Sequence, residues 1–406
     1  MKREQPNIRI FGILITIIEL CLCGSAYASN VYVGGPNETL YFAPNMGGTT
    51  VTLFPTFEGL RHIKAGPSDT HPGHMVPDPL GEYVFSINHG RNQMSVYDAK
   101  TGRFIRHIKT GSANSHHGQG HQYGWSTDGS RFWLTEVDDG ALVEIARNPL
   151  RVSRKIAGIA DDPQGMVIAE KEGFIYVLEE GGSSVTQVRI ADFKVVKHIT
   201  VGKTPHAGAY AAGHVYIGNT AKGERSVSVI DASTGKVIKT IDVGFENPHF
   251  LEDPANGAKF LIVESVISPN MVLIDPNTNN IVGRFNGKSL GVPIKKVRHP
   301  MYSGSGRFIY LPLGRKNGTS RLYRLSVPDL KVVSKSPSAP SMIHMMQVNK
   351  AGTRIYAATE GDAAHGVPFG VTVYKINQDE SLKKIADMYA DIPAGETMKS
   401  HHGSLN

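Results

Sequence analysis

Along most of this chain, apolar and polar residues alternate in short runs punctuated by glycine, proline, asparagine and aspartate, the pattern of half-buried strands. Four runs close alike: Gly59-Leu-Arg-His-Ile-Lys-Ala-Gly66, Phe104-Ile-Arg-His-Ile-Lys-Thr-Gly111, Val195-Val-Lys-His-Ile-Thr-Val-Gly202 and Val237-Ile-Lys-Thr-Ile-Asp-Val-Gly244. A strand running into a tight turn recurs as Ser95-Val-Tyr-Asp-Ala-Lys-Thr-Gly102, Ser228-Val-Ile-Asp-Ala-Ser-Thr-Gly235 and Val272-Leu-Ile-Asp-Pro-Asn-Thr-Asn279. Aspartate bonds its own backbone there, and the closing glycine or asparagine tolerates positive φ, so each predicts a hairpin. Further upstream comes a strand such as Phe174-Ile-Tyr-Val177, His214-Val-Tyr-Ile217 or Phe308-Ile-Tyr-Leu311.

The predicted unit is therefore four strands, with starts near Pro72, His117, Pro163, Pro205, Pro248, His299 and His344, spaced 42–51 residues apart. That is the period of a propeller blade, and no useful helix-period segment follows residue 28. The expected fold is an all-β propeller of four-stranded blades. Seven units are countable. Residues 31–65 hold about three strands without an innermost one, and Ser400-His-His-Gly-Ser-Leu405 reads as an innermost strand without partners. Joining the two ends closes the ring and gives eight blades, with seven as the alternative.

The run Thr204-Pro-His-Ala-Gly208, His214-Val-Tyr-Ile-Gly-Asn219, Ser226-Val-Ser-Val-Ile-Asp-Ala-Ser-Thr-Gly235 resembles the YVTN family of β-propeller repeats. The resemblance is specific in the first and fourth units and looser elsewhere. It implies a propeller and leaves the function open. Relatives of this shape include the haem-d1 domain of cytochrome cd1 nitrite reductase, the nitrous oxide reductase propeller, periplasmic zinc chaperones and pure binding scaffolds.

The first residues read as an export signal. Lys2 to Arg9 form a basic stretch, Ile10 to Cys23 an apolar run broken only by Glu19, and Ala26-Tyr-Ala28 a cleavage site. The run is short for a membrane anchor. A signal peptide 1–28 and a single propeller domain 29–406, periplasmic or secreted, are expected, with no transmembrane segment after cleavage. Both cysteines, Cys21 and Cys23, fall inside the signal, which leaves the mature chain no disulfide and no thiolate ligand. The formal charge is +7, but no basic run exceeds Lys295-Lys296, so nucleic acid is not an expected partner.

The 17 histidines sort by register. His62, His107 and His198 fall near the end of the outermost strand, a structural or solvent-facing place. A second set falls where each innermost strand starts, at one mouth of the central channel: His74, His116, His117, His121, His206, His249, His299, His344 and His402. The second strand runs antiparallel and ends at the same mouth, with Glu136, Glu179-Glu180, Glu264, Arg315 and Glu360. Imidazoles oriented by carboxylates suit a transition metal, copper or zinc, with Glu136 and Glu264 among the ligand set. Methionines follow closely in His74-Met75, His299-Pro-Met301 and His344-Met345-Met346; thioethers suit copper, although methionine is also ordinary core filler. Arg298 and Arg315 offer the alternative of a haem-d1-like tetrapyrrole whose carboxylates they would hold. No Cys-x-x-Cys-His exists for covalent haem. A non-enzymatic interaction scaffold, with another periplasmic protein as partner, is the third reading. No Gly-x-Ser-x-Gly elbow or phosphate loop points to other chemistry.

Overall fold

The computed structural model describes strands Val31–Gly34, Thr39–Phe42, Thr50–Phe54 and Ile63–Pro67, then residues 72–88, 92–112, 118–251, 259–349, 351–361, 366–367 and 370–389. Seven four-stranded antiparallel blades follow one another from Pro72 to Tyr389, each laid down in sequence order from the channel outward. Their inner strands are Pro72–Pro77, Gln119–Trp125, Gly165–Ala169, Pro205–Ala211, Pro248–Leu251, the pair Ile294–Val297 and Met301–Tyr302, and Ile343–Val348. We number the blades one to seven in that order. The seven units legible in the sequence are these blades.

The hairpin turns form as the residue types require. Asp231 Oδ1 accepts hydrogen bonds from the backbone N–H of Ser233 and Thr234 at 3.1 and 2.7 Å, and Gly235 follows at φ 61°. Asp98 and Asp275 repeat the arrangement in blades one and five. Second strands such as Arg131–Glu136 and third strands such as Ser226–Asp231 are buried on both faces. The outermost strands are largely exposed, as Lys236–Asp242 is, with Ile241 its one buried residue. The core therefore lies between blades. Trp133 is fully buried in blade two and donates to Glu144, which Arg154 also holds.

A further four-stranded antiparallel sheet precedes the seven blades. Its strand Val31–Gly34 packs against both Pro72–Pro77 and Ile343–Val348, which sets it between blades one and seven. The N-terminal segment thus supplies four strands rather than the expected three. Val31-Tyr-Val-Gly34 alternates over only four residues, too few to register as a strand by pattern. Ser400–Leu405 and the signal segment lie outside the described residues. Among the described residues no helix is long and apolar enough to cross a membrane.

Blade six departs from its repeat. Its inner strand is interrupted at Arg298-His299-Pro300, where proline has no N–H to give the ladder. Strand Ile294–Val297 pairs with one half of Phe308–Arg315, and Met301–Tyr302 pairs with the other.

Candidate functional site

Six of the predicted histidines form an unbroken row along the inner strands. Ring centroids are 6.1 Å apart from His74 to His121, 5.6 Å to His206, 5.0 Å to His249, 5.5 Å to His299 and 5.2 Å to His344. His74, His299 and His344 are buried; the other three are partly so. His116, His117 and His402 lie outside the described residues, as does His62. His107 and His198 sit on outermost strands, as their register predicts, and hydrogen-bond Ser95 and Thr186.

Local backbone irregularities aim several of these rings. His206 and His344 are each the extra residue of a β-bulge, since their neighbours pair with consecutive residues of the second strand. His74 is the first residue after such a register shift. A bulge turns a side chain away from strict alternation, which is how inner-strand residues come to line the channel. His299 occupies the break in the blade-six inner strand. His249 needs no bulge, because it stands directly opposite Glu264 across the ladder.

That opposition creates the densest group. His249, Glu264 and His299 each offer a ligand atom, and these atoms all lie within 4.8 Å of one another. His299 Nδ1 is 3.4 Å from Glu264 Oε1. Glu264 is fully buried, and neither of its carboxylate oxygens has a hydrogen-bond partner among the described residues. Burial drives its pKa up to about 8, against the lowering pull of Arg298. A carboxylate so placed is costly unless it holds a proton or faces a cation.

Glu180 belongs to the site as well. Its Oε2 lies 2.7 Å from His206 Nδ1. Burial works to lower the His206 pKa, but the charge and hydrogen bond of Glu180 outweigh it and hold it above the ordinary value. The contact engages Nδ1 and leaves Nε2 as the ligand atom, the usual way a carboxylate orients an imidazole. The repeat placed Glu180 at the mouth; nothing in the sequence paired it with His206.

The remaining predicted residues fall elsewhere. Glu136 is fully buried in blade two, opposite Gln119 rather than beside the His249 group. Burial pushes its pKa to about 8, partly offset by Thr110, Lys155 and Gln119. Arg298 is buried next to His299 and pairs with Glu360 at 3.2 Å. Arg315 ends the second strand opposite Ile294, and among the described residues no ion pair or ring contact joins it to the histidines. Met75 and Met345 are buried, Met345 within the apolar cluster of blades one to three. Met301 and Met346 pack against the cluster of blades six and seven.

No protein-family model and no curated protein matches the sequence. Solved structures do match in fold. The dihydro-haem d1 dehydrogenase NirN in complex with DHE aligns with a TM-score of 0.62 at 18% identity, covering 76% of this chain and 66% of that one. The alignment thus spans just under two thirds of that protein. Hydrazine synthase from Kuenenia stuttgartiensis aligns with a TM-score of 0.48 at 17% identity, covering 66% of this chain and 85% of that one. At such identities what this chain shares with NirN is the propeller fold.

Proposed function

We propose that this chain is a periplasmic metal-handling or metal-redox propeller that binds copper or zinc at the channel through His249, Glu264 and His299. The observation that carries the reading is Glu264, a fully buried carboxylate with no hydrogen bond on either oxygen among the described residues, held opposite His249 and beside His299. The residues fit the group: two imidazoles and one carboxylate are ligands that zinc and copper take. The bound ion would supply charge to compensate Glu264 and, in the copper case, an electron-transfer centre. The chain's own residues hold His249 and Glu264 on paired strands and His299 at the break in the blade-six inner strand, next to buried Arg298, which pairs with Glu360.

One observation favours a second reading, a haem-d1-like tetrapyrrole in the same channel: the fold likeness to a dihydro-haem d1 dehydrogenase solved with DHE. Elemental analysis and absorption spectroscopy separate the two. Untagged protein from cells supplied with copper, zinc and iron is expected to retain about one or more equivalents of copper or zinc, with no Soret band. A Soret band with no copper or zinc would transfer the assignment to the tetrapyrrole. Neither metal nor chromophore would leave an interaction scaffold.

A further inference from the structure

Blade three is the one blade among the seven whose inner strand starts without histidine; Gln164 and Gly165 stand there instead. The row of imidazoles should break at that point, yet His121 of blade two and His206 of blade four are 5.6 Å apart, as close as rings on adjacent blades. Gly165 explains how. A Cβ on Gly165 would sit 2.2 Å from the His206 carbonyl oxygen and 2.8 Å from Gln122 Oε1. Without one, blade three leaves room for its neighbours to meet. Gln122 of blade two reaches across and clips Gly208 of blade four, donating to its carbonyl at 2.9 Å and accepting from its N–H at 3.2 Å. The His121 N–H is itself tied to the Gln164 carbonyl at 2.6 Å. The meeting of the two rings is therefore built by main-chain and side-chain bonds on both sides of the third blade.

From this juxtaposition we propose that His121 and His206 hold a second copper or zinc ion, separate from the one at His249, Glu264 and His299. The inference rests on the reading that this channel binds metal. Two imidazoles bound to one ion by bonds of roughly 2 Å place their ring centroids about 5–6 Å apart, which the observed spacing matches. Glu180 engages Nδ1 of His206 and so directs Nε2 to the ion. His74 continues the row, its ring centroid 6.1 Å beyond that of His121. No oxidation or bond-making step is invoked; the ion is bound.

The test is metal stoichiometry in the full-length chain, loaded with Zn(II) or, under anaerobic conditions, Cu(I), then desalted against a competing chelator. Wild type is expected to keep two equivalents. His121→Gln and His206→Gln should each keep one, and Glu264→Gln should also keep one, through the other site. In Glu180→Gln, whose fold does not depend on losing a ring, the second ion should bind roughly 10–100-fold more weakly while the first is unchanged. One equivalent in wild type, removed by Glu264→Gln but not by His121→Gln, would overturn the second site and leave the first standing. No bound metal at all would overturn both.

Discussion

His299→Ala is expected to weaken metal binding by on the order of a hundredfold or more, measured by chelator competition with Zn(II) or Cu(I). A four-ligand zinc site is worth about 10–16 kcal/mol in total, so each ligand carries roughly 3 kcal/mol. His249, Glu264 and His299 each offer one ligand atom to the group, so losing one ring removes one of three. His249→Ala should behave alike, since its register partner is Glu264 itself. His198→Ala is the comparator. Its ring is bonded to Thr186 on the outer edge of blade three, and removing it should leave affinity unchanged. Equal loss in both variants would mean that the histidines contribute to metal binding without a specific site.

The second large effect concerns stability without metal. Glu264 titrates near 8 when buried, against about 4.5 when unfolded. Its folded pKa is raised, so between those values the native state binds the proton that the unfolded state has released. Stability is then highest below pH 4.5 and falls as pH climbs toward 8, by about 1.4 kcal/mol per pH unit for one such group. Glu136 is expected to add a parallel loss over the same window. Glu264→Gln removes one of the two contributions. Denaturant unfolding of metal-free protein should therefore show a variant close to wild type at pH 5 and more stable by a few kcal/mol at pH 8. Bound metal should bring wild type level with the variant at pH 8. Parallel pH profiles for the two proteins would contradict the account of Glu264.

The blades were legible because their turns are chemical. Asp231 must bond its own backbone and Gly235 must take positive φ, so the repeated Asp-x-x-Thr pattern closed by Gly or Asn marks hairpins wherever it occurs. Register then places a histidine at every inner strand but that of blade three, and these six do form the row. What the pattern could not convey is aim. Bulges at His206 and His344 depend on how two strands pair, which a single strand's alternation does not encode. The split inner strand of blade six had one visible sign, Pro300, but its first half, Ile294–Val297, is too short to register. The contact across blade three had a sign as well: Gln164, followed by Gly165, where the six other blades carry histidine. Its meaning needed the neighbouring blades in place. Glu264 was predicted as a ligand from position alone, and its direct opposition to His249 gives that position a geometry.

The most direct test of the central claim is anomalous diffraction at the metal edge from crystals of the full chain loaded with zinc or copper. The account predicts a peak about 2.0–2.2 Å from one imidazole nitrogen of His249, one of His299 and a carboxylate oxygen of Glu264. Density only at surface histidines such as His198, or no peak in the channel, would contradict it.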